Sequence, residues 1–264
     1  MSLPPGPGAL FFRKVSVRHN DEVIRRHLDL TVTQGEHLAV VGPSGIGKPT
    51  LAYLLTGLLS PQSGVVRLGG CDITRLGEAG LRRTLALIPQ EAYVFAGSLR
   101  ENLTYLAPSA TERELTEAAE AVGLHAVAER LGGLDARVGT GGAELSAGEK
   151  QLIALTRVYL SPARVVILDE ATSNLDPMAE ARVETAFARR EGTLVVIAHR
   201  ISSARRARRI LLLDGRSVHL GSHGELLAAS PLYADLVGQW EAPAPAVGRT
   251  NADQGDSVPA VPVN

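Results

Sequence analysis

The stretch HLAVVGPSGIGKPT at 37–50 constrains this chain more than any other. Its apolar LAVV reads as a buried strand, and LAYLLTGLL at 51–59 reads as a helix. Between them lie Gly42, Ser44, Gly45, Gly47 and Lys48. Glycines let backbone N–H groups turn inward around phosphate oxygens, and the helix start adds its dipole. The spacing from Gly42 to Gly47 and Lys48 is that of a phosphate-binding loop, with Lys48 reaching the terminal phosphates. Lysine occurs only at 14, 48 and 150, so a lysine inside a glycine loop stands out from an arginine-dominated background.

The loop carries one anomaly. Such loops place Ser or Thr after the lysine, where the hydroxyl binds Mg²⁺. Here that position is Pro49. Proline has neither a hydroxyl nor an N–H, so a metal ligand and a phosphate donor are both missing. It also disfavours helical dihedrals at Lys48. Proline in the first turn of a helix is tolerated, so the fold should survive while the metal site is weakened. Thr50 keeps a hydroxyl and is a candidate nucleotide contact. One residue further along a helix it points about 100° away, so it does not replace the missing ligand.

A second constellation follows in RVVILDEATSNLD. Its apolar run ends in Asp169 and Glu170, which puts two carboxylates at the carboxyl end of a buried strand. Ligands of open α/β sheets bind there. Asp169 can hold Mg²⁺ directly or through water, and Glu170 can act as general base on an attacking water. The two motifs together define a P-loop ATPase.

The rest of the chain fits that reading. Continuous apolar runs at 37–41, 164–168, 193–198 and 209–213 predict strands buried on both faces of a mostly parallel sheet. Partial alternation at 10–18 and 23–32 predicts an N-terminal antiparallel β layer. Residues 91–157 read as an inserted helical subdomain, in which Thr111 and Glu114 form a capping box. The expected organisation is a flexible N-terminus at 1–9, one ATP-binding domain at 10–240, and a disordered Pro- and Ala-rich tail at 241–264. Aromatics are only 4% of the chain, so the core must be aliphatic. A net charge of −1 gives no broad attraction to nucleic acid. The arginines at 205–209 read as a solvated helix face, again with no nucleic-acid role. A lone cysteine, Cys71, excludes an intrachain disulfide and suits a reducing cytosol. The start MSLPPGPG lacks the layout of a signal peptide, and every apolar run is too short to span a bilayer.

LSAGEKQ decides the family. It resembles the LSGGQ signature of ABC proteins, with Ala147 and Glu149 as departures, and it ends just before the strand carrying Asp169 and Glu170. The resemblance covers roughly 10–240. VFAGSLRENL and the stretch LLLDGRSVHLGSHGELL look specifically like exporter nucleotide-binding domains.

The resemblance implies further roles. Gln90 falls at the Q-loop, which serves Mg²⁺ and water and couples to the membrane domain. SNLD at 173–176 falls at the D-loop, and His199 at the switch histidine on the γ-phosphate. His19 aligns with an adenine-stacking aromatic. Ser146 and Gly148 would act on ATP held by the other subunit, and Glu149 adds a negative charge there. VGTGG at 138–142 stands where exporters commonly have VGERG, with Thr140 at the Glu position. The implied partners are a second nucleotide-binding domain, identical or different, and an exporter's transmembrane domain. The implied place is the cytoplasmic face of the membrane. Three functions fit: an ATP-driven motor, a degenerate subunit with weak hydrolysis because of Pro49, or a non-transport ABC ATPase. The third usually needs two cassettes or long coiled-coil inserts, and neither is present in this sequence.

Overall fold

The computed structural model describes residues 9–19, 22–215 and 217–241. The expectations for 1–8 and 242–264 fall outside the described residues.

The chain opens with β1 (Leu10–His19), β2 (Glu22–Val32) and β3 (His37–Val41), followed by α1 (Lys48–Leu55). Next come β4 (Ser63–Leu68), β5 (Cys71–Asp72), α2 (Gly77–Thr84) and β6 (Leu85–Ile88). A mainly helical stretch follows: β7 (Gly97–Ser98), α3 (Leu99–Thr104), α4 (Glu112–Val122), α5 (His125–Leu131), β8 (Arg137–Val138) and α6 (Ala147–Leu160). The chain then returns through β9 (Val165–Asp169), α7 (Pro177–Arg189), β10 (Thr193–Ile197), α8 (Ile201–Arg206) and β11 (Arg209–Leu213). It finishes with β12 (Val218–Gly221), α9 (His223–Ala229) and α10 (Pro231–Glu241).

The central sheet has the order β12-β11-β3-β10-β9-β6. All neighbours in it are parallel except the β11–β12 edge pair. Alternation of side chains explains why its strands read as unbroken apolar runs. Leu38, Val40, Ile167, Val195 and Leu211 face one cluster with α1 and the N-terminal β layer. Ala39, Val41, Leu168, Val196 and Leu212 face a second cluster with α6, α7 and α10. The antiparallel layer is the sheet β2-β1-β4-β5. The fold is therefore the expected one: a P-loop core, an antiparallel layer and a helical insertion.

The inserted helices carry a third apolar cluster, which includes Leu99, Leu103, Leu115, Leu124 and Ile153. Thr111 caps α4 through the reciprocal bonds of a capping box with Glu114. Leu152 on α6 packs against both this cluster and the second one. Among the described residues, no helix is long and apolar enough to cross a membrane.

Of the arginines at 205–209, Arg205 and Arg208 are exposed, but Arg206 and Arg209 are committed to buried carboxylates and are not part of a solvated face. Arg206 donates to Glu184 at 2.7 Å and to Glu180 at 2.7 Å, both buried carboxylates. Arg209 donates to buried Glu36 and to the Thr31 carbonyl. Burying three carboxylates requires partners, and these arginines supply them.

Candidate functional site

Parallel strands bring distant motifs to one edge. β3 leads into the loop with Lys48, β9 ends at Asp169, β10 leads to His199, and β6 leads to Gln90. All four strands run the same way, so these residues share the carboxyl edge of the sheet.

Backbone geometry explains the glycines of the loop. At Gly42 φ is 154°, and an added Cβ would lie 2.6 Å from the Leu213 carbonyl. Gly45 and Gly47 have φ of 76° and 96°, and Gly47 is the N-cap of α1. Helix α1 opens at Lys48, with Pro49 in its first turn. The pre-proline restriction therefore does not displace the helix start, because the tertiary fold overrides it. Position 49 lies among the first four residues, whose N–H groups have no partner inside a helix. Proline there breaks no bond of the fold and removes only a donor toward an anion. Thr50 is buried in the same turn.

Lys48 is only 4% exposed, and its ammonium donates to the carbonyls of Gly42 at 2.8 Å and Pro43 at 3.0 Å. Burial lowers its pKa below the ordinary value, while Glu170 and Asp169 pull the other way. The Asp169 carboxyl is raised, first by burial and then by the Glu170 charge, with His199 and Lys48 opposing. Two adjacent acids facing one ammonium create a demand for further positive charge.

Glu170 has φ of 54°, a left-handed conformation. A non-glycine residue held there costs about 1–2 kcal/mol. The turn aims its carboxylate at His199, whose Nε2 it contacts directly. Gln90 is exposed just beyond β6, and its carbonyl accepts from Gln151 Nε2 at 3.1 Å.

The signature segment forms the start of α6. Ser146 is the N-cap of α6, in a capping box with Glu149. An added Cβ on Gly148 would lie 3.0 Å from the Asn174 carbonyl, so the helix start packs on 173–175. The structure thus gathers Lys48, Asp169, Glu170 and His199, and packs Gly148 on Asn174 and Leu175. The VGTGG segment abuts the stretch beyond Gln90, since a Cβ on Gly139 would lie 2.7 Å from the Phe95 carbonyl. The adenine-stacking expectation for His19 concerns a side chain outside the described residues.

Sequence reasoning missed Gln151. It is buried on α6, donates to the Gln90 carbonyl and to Ser173 Oγ at 3.3 Å, and accepts from the Asn174 N–H at 3.0 Å. One amide thus joins three segments that the chain separates. Its signal in the sequence is faint: a lone glutamine before the apolar LIAL. Arg200 was missed too. It contacts Glu180 and donates to the Leu175 carbonyl at 3.4 Å, tying the residue after His199 to the 173–176 segment.

For Mg²⁺, the donor set fits a nucleotide-bound ion. Such an ion takes most ligands from phosphates and water and only one or two from protein. Asp169 is a buried carboxylate with its pKa raised, which a cation would stabilise in the charged form.

Known proteins resemble this chain in sequence and in fold. The ABC transporter family model matches residues 25–173. The ABC transporter ATP-binding protein RamB of Streptomyces coelicolor is 57% identical over 213 residues, 81% of this chain and 35% of that protein. The ATP-dependent lipid A-core flippase of Desulfotalea psychrophila is 40% identical over 236 residues, 88% of this chain and 41% of that protein. A solved bacterial Atm1-family ABC exporter with ATP bound superposes with a TM-score of 0.83 at 32% identity, over 92% of this chain and 43% of that one. The chain thus spans between a third and a half of the length of these relatives. The chain belongs to the ABC transporter family, as an ATP-binding domain.

Proposed function

We propose that this domain hydrolyses ATP to power export through a membrane-spanning partner, at the cytoplasmic face of the membrane. The observation that carries this is the convergence of Lys48, Asp169, Glu170 and His199 on one edge of the parallel sheet. The exporter relatives favour transport over other uses of the same fold.

In this reading the loop amides of 44–47 and the Lys48 ammonium bind the phosphates. The ammonium leaves its two carbonyls for phosphate oxygens, which are stronger acceptors. Glu170 takes the proton of the attacking water, and His199 orients that carboxylate and reaches the γ-phosphate. Asp169 and Gln90 would hold Mg²⁺, which when bound neutralises phosphate charge. Ser146 and Gly148 close on ATP carried by a second nucleotide-binding domain. Closure of two domains around nucleotide moves the partner, and hydrolysis reverses it.

The test is the ATPase rate of the purified chain beside its Glu170→Gln variant. The variant should bind ATP and lose about 10²–10⁴-fold in kcat. A wild-type chain that fails to bind ATP overturns the reading, as does a variant that hydrolyses at the wild-type rate.

Pro49 favours a second reading. In it the domain binds ATP, hydrolyses little at its own loop, and presents Ser146 and Gly148 to a competent second domain. Pro49→Ser should then raise kcat tenfold or more, by roughly the worth of one catalytic hydroxyl. A wild-type rate that is already high and does not rise removes this reading.

A further inference from the structure

The signature segment departs from LSGGQ by carrying an acid, Glu149, where the family pattern has a neutral amide. A bare carboxylate in the first turn of α6 would repel a phosphate brought to that helix end. The structure shows where the charge goes. One oxygen, Oε2, accepts from the Ser146 N–H at 2.8 Å and closes the capping box. The other, Oε1, lies 2.5 Å from Nη2 of Arg130, the next-to-last residue of α5. Burial raises the Glu149 carboxyl, but the Ser146 N–H and Arg130 outweigh it and hold the group below its usual value. Both oxygens are committed, and a guanidinium sits beside the carboxylate.

We propose that Arg130 is a positioning and charge-compensating residue of the signature segment: it neutralises Glu149 so that the N-terminus of α6 stays receptive to the phosphate of a second domain's ATP. The inference rests on the reading that Ser146 acts on that ATP. The acid keeps the capping box that orders the helix start, since Glu and Gln serve equally as its third residue. The arginine removes the repulsion that the acid would bring. Neither residue is informative alone, and they lie nineteen positions apart in the chain.

The experiment is a charge cycle on the full chain. Four proteins are compared: wild type, Arg130→Gln, Glu149→Gln, and the double variant. The readout is the ATP concentration at half-maximal dimer formation, followed by sedimentation in a Glu170→Gln background that blocks turnover. Local charge at the pair is zero in wild type, −1 in Arg130→Gln, +1 in Glu149→Gln, and zero in the double variant. The midpoint should follow that order. It should rise about three- to tenfold in Arg130→Gln, fall severalfold in Glu149→Gln, and return to the wild-type value in the double variant. Added salt should compress the differences.

A merely structural tether between α5 and α6 gives a different pattern, with the double variant no better than Arg130→Gln. That result overturns the proposal, as does an Arg130→Gln midpoint equal to wild type. Ser146→Ala separates the two levels of inference. If ATP drives no dimer, or the dimer ignores Ser146→Ala, the underlying reading fails and takes the proposal with it. If the dimer needs Ser146 but its midpoint ignores the charge cycle, only the role of Arg130 fails.

Discussion

Glu170 Oε1 and His199 Nε2 are in direct contact across the ends of adjacent parallel strands. The acid is held in a left-handed backbone conformation, and the imidazole follows β10 by two residues. In the proposed function this contact orients the general base. His199→Ala should therefore lower kcat by about 10²-fold. ATP affinity should fall by less than kcat, because Lys48 and the loop remain while one γ-phosphate contact is lost. Equilibrium nucleotide binding and steady-state hydrolysis, measured together, check both halves.

Gly42 is fixed by the Leu213 carbonyl, which passes 2.6 Å from where a Cβ would stand. Backbone cannot yield as a flexible side chain can. Gly42→Ala should cost about 1–3 kcal/mol of stability and weaken ATP binding together, since the loop must shift. Urea denaturation and ATP titration give the two numbers.

Arg206 compensates two carboxylates, Glu180 at 2% exposure and Glu184 at 0%. Removing one partner of a buried pair costs about 3–5 kcal/mol. Arg206→Ala should fall in that range by chemical denaturation. Arg208→Ala, at an exposed position in the same run, should stay within about 0.5 kcal/mol.

His37 begins β3, and its Nε2 is buried without a hydrogen-bond partner. Burial, and then the Arg206 charge, lower its pKa from 6.5 to about 4. The unfolded chain takes up this proton near pH 6.5, and the folded chain only near about 4. The resulting stability is complete above the upper value and is lost as pH falls toward the lower one. His37→Phe should flatten that part of the pH profile, read as urea midpoints at pH 7 and pH 5. An unchanged slope would show that other groups set the acid limb.

What the sequence made legible was whatever is local. The loop at 42–50, the acids after β9 and the cap at Thr111 each lie within one short window, where spacing and chemistry can be read together. The sheet strands were legible because burial on both faces leaves no polar residue to break the run. Gln151, Arg130 and Arg200 were not legible, because each acts on a partner that is distant in sequence. The same reason defeats the solvated reading at Arg206 and Arg209. Arg206 and Arg209 look like surface charges until the carboxylates of Glu36, Glu180 and Glu184 are placed beneath them.

Helix α6 has its middle in two apolar clusters at once: Ile153 in one, Leu155 and Val158 in the other, and Leu152 against both. It is therefore an axle shared by two bodies. Its leading end carries Ser146, and one turn further on Gln151 grips the backbone at 90 and 174. Ser146, Gln151 and the apolar middle therefore belong to one continuous helix. The same helix thus fixes the spacing between the inserted helices and the segments that follow β6 and β9.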